Sequence, residues 1–115
     1  LGGATYSTAD TVRPALQIIK TKPGSKIVSS CCCIIIPNLT HNVRPFALVE
    51  YVVTHEDYRG RGYASSCLAK SKEIAVSEDC YKIMLMTGSK KESTLNLYRN
   101  AGYSSDDKTG FNQKL

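Results

Sequence analysis

A chain of 115 residues is long enough for one domain with a hydrophobic core and too short for two. Its hydrophobic content of 42% and charged content of 22% are typical of globular proteins, and its longest apolar run, residues 31–36, falls far short of the roughly 20 residues that span a bilayer. The formal net charge of +5 suits an anionic partner, either nucleic acid or a phosphorylated cofactor, and does not choose between them.

Two structures compete for the segment before residue 21. Apolar residues at positions i, i+4 and i+7 predict a helix over residues 8–20: Val12, Leu16 and Ile19. Pro14 suits that helix only if the helix begins near Thr11. The alternative is a short strand over residues 15–20 that pairs with residues 26–36 across Lys-Pro-Gly-Ser, a favourable turn sequence. Both remain open, and the turn favours the hairpin.

Two further strands are predicted in the middle of the chain. Residues 26–36 are rich in Ile, Val and Cys, and their second half lacks polar alternation, which predicts that both faces are covered. Residues 45–54 form the next strand. Alternation divides it into two faces, one with Phe46, Leu48, Glu50 and Val52 and the other with Ala47, Val49, Tyr51 and Val53.

The second half of the chain is predicted to alternate helices and strands. Residues 63–77 show a helical stripe of buried positions, with lysines and a glutamate facing water: Ala64, Cys67, Leu68, Ile74 and Ala75 inside, Lys70, Lys72 and Glu73 outside. A strand is predicted over residues 81–87, and Ser-Lys-Lys-Glu at 89–92 is a capping box for a second helix that stops at Gly102. The polar tail is strand-like at Phe111. The order strand, strand, helix, strand, helix, strand predicts an α/β fold with a mixed sheet.

The five cysteines predict reduced thiols. Three are consecutive, at residues 31–33, and neighbouring residues of a strand point to opposite faces, which makes a poor disulfide framework. No C-x-x-C pair occurs, and His41 and His55 fall in loop-like segments, so we expect no metal. Reduced thiols indicate a cytoplasmic protein, and a start rich in Gly, Thr and Ser without an apolar segment predicts no signal peptide.

Residues 52–64 have the layout of a phosphate-binding turn. An apolar strand end leads into two glycines, Gly60 and Gly62, and a helical pattern follows at once. Glycines let backbone N–H groups surround an anion, and a helix N-terminus adds unpaired N–H groups and the positive end of its dipole. Arg59 and Arg61 add positive charge. Glycine pairs also occur in ordinary loops, so the surrounding sequence must indicate whether this turn binds a phosphate.

That context resembles the GNAT superfamily of N-acetyltransferases. Residues 59–64, Arg-Gly-Arg-Gly-Tyr-Ala, fit the Q/R-x-x-G-x-G/A pattern of its acyl-CoA pyrophosphate loop, and residues 50–54 resemble the strand that carries the loop. The chain is most similar to glucosamine-6-phosphate N-acetyltransferases, through residues 49–53, 58–60, 80–83 and 97–103. The resemblance implies a single GNAT-like acyl-CoA N-acyltransferase domain over residues 1–115. Residues 26–115 would be its cofactor-binding core and residues 1–25 an atypical N-terminal segment.

The resemblance also implies site residues. The strand end would pair with the pantetheine arm and supply an N–H for the oxyanion, while the loop would hold the pyrophosphate. The cofactor-binding residues are then Val52, Val53, Thr54, Arg59, Gly60, Arg61, Gly62, Tyr63 and Ala64. Glu50, a carboxylate in an apolar strand, matches a glutamate near the amine and is expected to orient the substrate or accept its proton. Tyr98 matches the tyrosine that protonates the leaving thiolate.

The implied reaction is direct acetyl transfer from acetyl-CoA to a primary amine of a small molecule or amino sugar, in a ternary complex and without a metal. The alternative is a non-catalytic CoA-binding module, because residues 1–25 are too few for the strand and two helices that wall the acceptor site in the family. The chain would be shortened, divergent and compact, or completed by a second copy, for instance in a homodimer that exchanges a C-terminal strand. A basic nucleic-acid-binding domain is a third hypothesis, but the basic residues are scattered, so neither nucleic acid nor membrane is an expected partner.

Overall fold

A four-stranded mixed sheet is the centre of the fold. The computed structural model describes the backbone of residues 13–20 and the whole of residues 27–115. In sheet order the strands are β1 (Arg13–Lys20), β2 (Ile27–Ile36), β3 (Phe46–Thr54) and β4 (Ile83–Leu85). The pairs β1–β2 and β2–β3 are antiparallel, whereas β3–β4 is parallel. Together with the helices below, this mixed sheet confirms the predicted α/β class.

β1 shows that residues 13–20 form the hairpin strand. Its backbone runs antiparallel to β2, with Leu16 opposite Cys32. The helix predicted over residues 8–20 is therefore wrong for residues 13–20, because pairing with β2 outweighs a helical spacing of three apolar residues. Pro14 is tolerated since β1 lies at the edge of the sheet, where a missing N–H costs least. Residues 8–12 and the turn at 22–25 lie outside the described residues.

One long helix covers one face of this sheet. α1 spans Tyr63–Ser77, as predicted, and its buried residues are Cys67, Leu68, Ser71 and Ala75. The sheet contributes Cys31, Cys33, Ile35, Ala47 and Val49 to the same buried core. Ala64 and Ile74, which were predicted to be buried, are only half-buried. Ser71 is buried but was not predicted to be, because a pattern of apolar residues does not include serine. The exposed positions Lys70, Lys72 and Glu73 agree with prediction.

β3 contains a bulge. The register passes from Cys32 opposite Glu50 to Ser30 opposite Val53, so a single residue of β2 faces two of β3, Tyr51 and Val52. Tyr51 has a φ of 55°, which is uncommon for a residue with a side chain. An extra residue bends the strand and shifts every later side chain to the other face.

The bulge corrects the predicted faces of β3. Ala47 belongs to the core beneath α1, and Thr54 lies on that same side because its hydroxyl contacts Ser29, which in turn contacts Cys67 of α1. Strict alternation would put residues 47 and 54 on opposite faces. The predictions that Val52 shares the face of Glu50, and that Tyr51 and Val53 continue the face of Ala47 and Val49, are therefore wrong. Tyr51 and Val53 are instead 78% and 57% exposed.

The backbone groups into two compact units, Leu1–Leu85 and Met86–Leu115. The second contains α2 (Glu92–Asn100), which begins at the end of the predicted capping box. The capping box itself is wrong: Lys91 is the N-cap, and Ser89 Oγ accepts a hydrogen bond from the Lys91 N–H at 3.2 Å. The C-terminus of α2 ends as predicted, with Gly102 at φ 99° and the Tyr103 N–H donating to the Tyr98 carbonyl at 3.1 Å.

Two predicted strands differ from the structure. β4 has three residues, against the seven predicted at 81–87. Residues 101–115 contain no strand, and Phe111 is 91% exposed, because a single apolar residue in a polar tail has nothing to bury against. Within the described residues, no helix is both long and apolar enough to cross a membrane. All five cysteines are free thiols, as predicted, with Cys31, Cys33 and Cys67 buried.

Candidate functional site

The end of β3 offers an unpaired backbone edge. β4 pairs with β3 only at Ala47, Leu48 and Val49. Beyond that point, residues 50–54 have no strand partner on the β4 side within the described part of the chain. The bulge at Tyr51 lies at the start of this open edge. An edge of this kind presents N–H and C=O groups to an extended ligand, which can add to the sheet like a further strand.

The glycine turn has the conformation that its sequence predicts. Gly60 and Gly62 have φ of 78° and 81°, values that side chains disfavour. An ideal Cβ at either glycine would meet nothing within 4 Å, so it is the backbone angle, not crowding, that requires glycine.

α1 begins directly after this turn without a side-chain cap. Gly62 is its N-cap, and the first intrahelical bond runs from the Ser66 N–H to the Gly62 carbonyl at 3.0 Å. The N–H groups of the first turn therefore have no intrahelical partner, and they sit at the positive end of the helix dipole. They include Ser65, which the sequence analysis did not select. The rule that a helix leaves its first four N–H groups unpaired is the signal that identifies it.

The two arginines of the turn are held by the protein itself. Arg59 donates from Nε to the carbonyl of Thr54 at 3.3 Å, which ties the turn back to the end of β3. The Arg61 guanidinium carbon lies 5.3 Å from the centre of the Tyr58 ring, in a cation–π contact. Both side chains are exposed, so either can also add positive charge near the turn.

The carboxylates of Glu56 and Asp57 precede the turn, on a short 3-10 helix (Glu56–Tyr58). Over residues 55–61, two arginines and two carboxylates cancel in formal charge when His55 is neutral. His55 Nδ1 accepts a hydrogen bond from the Asp57 N–H at 3.1 Å, which caps this short helix. Any attraction for an anion at this turn therefore depends on directed backbone N–H groups more than on net charge.

Glu50 lies at the boundary between the regular part of β3 and its bulge. It is half-buried, opposite Cys32 of β2, and one residue before Tyr51. Its neighbour Val49 faces the core under α1, so Glu50 points to the other face of the sheet. The strand thus places a carboxylate beside its open backbone edge. A group in that position can accept a proton from an amine.

Tyr98 lies on α2, in the second compact unit. It is half-buried on α2, with its ring 6.5 Å from that of Tyr103 in an edge-to-face arrangement. Its carbonyl accepts the hydrogen bond that closes the C-terminus of α2. Lys90 and Lys91, just before this helix, are exposed.

A buried polar layer lies between β2 and α1. Ser71 Oγ donates to the Cys67 carbonyl at 3.0 Å and contacts Cys31 Sγ at 3.2 Å, while Ser29 Oγ contacts Thr54 Oγ1 at 2.9 Å. Burial raises the pKa of Cys33 to about 11, and burial likewise raises the pKa of Cys31. These thiols are neutral and unreactive at ordinary pH. Among the described residues, no group of three or more His, Cys, Asp or Glu is placed to hold a metal ion.

Comparison with known proteins identifies a family profile and similar solved structures. The profile of the acetyltransferase (GNAT) family matches residues 7–103. A solved structure from Agrobacterium tumefaciens str. C58 that carries an acetyltransferase name is 37% identical, with a TM-score of 0.78, over 90% of this chain and 71% of that one. Glucosamine-6-phosphate N-acetyltransferase from Arabidopsis thaliana has the same TM-score of 0.78 over 94% of this chain and 68% of that one, but at 19% identity it shows the fold alone.

A curated relative matches a short segment. Phosphate acetyltransferase of Acetivibrio thermocellus is 58% identical over 38 residues, which are 33% of this chain and 11% of that protein. Because the match spans about a tenth of the relative's length, it brings none of that protein's activity to this chain.

Proposed function

This chain belongs to the GNAT acetyltransferase family, and on that premise we propose that it transfers the acetyl group of acetyl-CoA to a primary amine. The observation that carries the proposal is one continuous run of backbone. It passes from the open edge of β3, through a turn with two left-handed glycines, into an uncapped helix. An extended pantetheine arm suits the first part, and a pyrophosphate suits the second.

The proposed chemistry needs three groups besides this cradle. A backbone N–H at the open end of β3, among Val52, Val53 and Thr54, donates to the thioester oxygen as it gains negative charge. Glu50 accepts the amine proton, directly or through a water molecule, as the nitrogen attacks the acetyl carbon. Tyr98 supplies the proton that the departing thiolate takes up, because a phenol is protonated at neutral pH. No metal takes part in this scheme.

The proposed acceptor is a small amine or an amino sugar. Sequence similarity to glucosamine-6-phosphate N-acetyltransferases in four short segments supports placing amino sugar phosphates first among the candidates. Simple amino sugars and aliphatic diamines complete a test panel that separates recognition of the sugar from recognition of its phosphate.

Cofactor binding is the first test. Thermal unfolding is followed with and without millimolar acetyl-CoA, and with CoA as a second ligand. A ligand at about 100 times its Kd adds roughly 2.7 kcal/mol of stability, which raises the Tm of a domain of this size by several degrees. An unchanged Tm with both ligands would contradict the proposal.

Turnover is the second test, with thiol release measured across the amine panel. Tyr98→Phe and Glu50→Gln preserve shape and remove the proposed proton transfers, so we expect each to lower kcat by about a hundredfold or more while Kd for CoA stays unchanged. Tyr103→Phe removes a hydroxyl from the same aromatic pair and serves as the matched control. Binding of CoA without turnover of any amine would favour the non-catalytic CoA-binding module.

A homodimer with an exchanged C-terminal strand, and a cytoplasmic location, stay predictions. The described tail beyond residue 103 forms neither helix nor strand. Sedimentation velocity across a range of protein concentrations tests the dimer.

A further inference from the structure

Ser29 occupies an unusual place beneath the proposed cofactor edge. It is a polar residue on β2, 1% exposed, and its hydroxyl contacts both the end of β3 and α1. We propose that Ser29 is a positioning residue for acetyl-CoA: its hydroxyl fixes the backbone of Val53 and Thr54 in the conformation that the pantetheine arm requires. This inference rests on the proposed function and adds a residue that does not touch the cofactor.

The Ser29 hydroxyl uses its whole hydrogen-bonding capacity at this point. Its Oγ donates to the Val53 carbonyl at 3.0 Å and accepts from Cys67 Sγ at 3.6 Å. A hydroxyl has one hydrogen and two acceptor positions, so its remaining contact, at 2.9 Å with Thr54 Oγ1, must be one in which Thr54 donates. All three partners are therefore satisfied by one buried oxygen.

The Ser29 hydroxyl restrains the end of β3 at a place where the regular ladder has just been interrupted. The bulge interrupts the ladder between β2 and β3 just before Val53. The Val53 side chain is 57% exposed, so packing does little to hold its backbone. On the side away from β2, this part of β3 has no strand partner among the described residues. Beyond the bulge the ladder resumes, with Val53 opposite Ser30 and Thr54 opposite Ser29, and the Ser29 hydroxyl adds a side-chain bond to this short paired stretch. The strand end is therefore held on its β2 side.

The same hydroxyl links the two parts of the cofactor cradle. Cys67 lies in the second turn of α1, and the first turn of that helix follows the glycine turn. Through Ser29, the open edge of β3 and the helix that would bind the pyrophosphate are fixed relative to each other. A second link runs outside the core, where Arg59 donates to the Thr54 carbonyl.

The test compares two buried serines. Ser29→Ala removes the hydroxyl that contacts β3. Ser71→Ala removes an equally buried hydroxyl, 0% exposed, whose partners are the Cys67 carbonyl and Cys31. Both changes lower stability, so loss of stability alone does not distinguish them. Isothermal titration with CoA is expected to show Kd raised about tenfold for Ser29→Ala and changed less than twofold for Ser71→Ala. In turnover, Ser29→Ala is expected to raise KM for acetyl-CoA, with kcat within about threefold of wild type.

Each outcome decides a different point. Equal weakening of CoA binding by both variants, or no weakening by Ser29→Ala, would overturn the positioning role while leaving the proposed function intact. If the wild-type chain itself binds no CoA, the proposed function fails and this inference falls with it. Should Ser29→Ala not fold, Ser29→Cys, which is nearly isosteric but bonds more weakly, is expected to raise Kd about threefold, and a wild-type Kd for that variant would overturn the role.

Discussion

A single methyl group at Gly62 tests the account of the glycine turn. Gly62 is the N-cap of α1, with φ 81° and ψ 8°, and an added Cβ would meet no atom within 4 Å. Gly62→Ala therefore introduces no clash, and its cost comes from holding an alanine in the left-handed region, about 1–2 kcal/mol. That cost lowers the Tm of a domain of this size by several degrees.

Gly88→Ala is the matched control for this change. Gly88 also has nothing within 4 Å of an ideal Cβ, and its φ is not in the left-handed region. We expect that variant to change the free energy of unfolding by less than about 0.5 kcal/mol. Gly62→Asn should fall between the two, because asparagine tolerates left-handed angles better than alanine. Urea unfolding followed by circular dichroism measures all three, and equal stability of Gly62→Ala and Gly88→Ala would show that the left-handed angle at Gly62 does not require glycine.

Three further predictions concern Leu68 in the core, the buried thiol of Cys33 and Arg59 of the glycine turn. Leu68→Ala removes a side chain that is 1% exposed and should cost about 2–5 kcal/mol in urea unfolding, whereas Val76→Ala, 69% exposed on the same helix, should cost less than about 0.5 kcal/mol. Because the fold raises the pKa of Cys33 from 9.0 to about 11, the stability that its neutral thiol contributes is present below pH 9 and is lost as the pH rises toward 11. Cys33→Ala should therefore flatten the curve of unfolding free energy against pH between pH 9 and about 11. An unchanged slope would contradict the raised pKa of Cys33. Arg59→Lys keeps the positive charge but loses the hydrogen bond from Nε to the Thr54 carbonyl. Calorimetric titration should therefore show CoA affinity reduced by a similar factor at low and high salt. A loss of affinity confined to low salt would mean that the charge of residue 59 matters and its bond to Thr54 does not.

The bulge in β3 is a feature that the alternation of apolar and polar residues does not predict. Alternation correctly put Ala47 and Val49 on one face of β3, and the structure buries both. Nothing in the residue types of Tyr51 and Val52 marks the extra residue that follows. A bulge forms because the neighbouring strand and its buried partners require it, and those partners lie about twenty residues earlier in the chain. The face of every residue after Glu50 therefore depended on tertiary structure.

Predictions from short sequence motifs were correct where the conformation depends on the local backbone. Gly60 and Gly62 were selected because glycines let backbone N–H groups surround an anion, and in the structure both adopt the left-handed angles that side chains disfavour. The full extent of α1 followed from its apolar period and the turn before it. The capping box failed because Ser89 bonds to the amide two residues on, a competing local pattern that the same sequence also allows. Ser29 was missed because a buried serine carries no signal until its partners are known.

Residue patterns alone were enough to predict the fold class, the glycine turn, the helix that follows it and the family resemblance, since each depends on residues close together or on a recognisable motif. Three features could be seen only in the folded chain: residues 13–20 are a strand, β3 reverses its faces at Tyr51, and a buried serine on β2 hydrogen-bonds to the end of β3. Those features depend on pairing between distant segments, and the free energy of such pairing is not encoded in either segment alone.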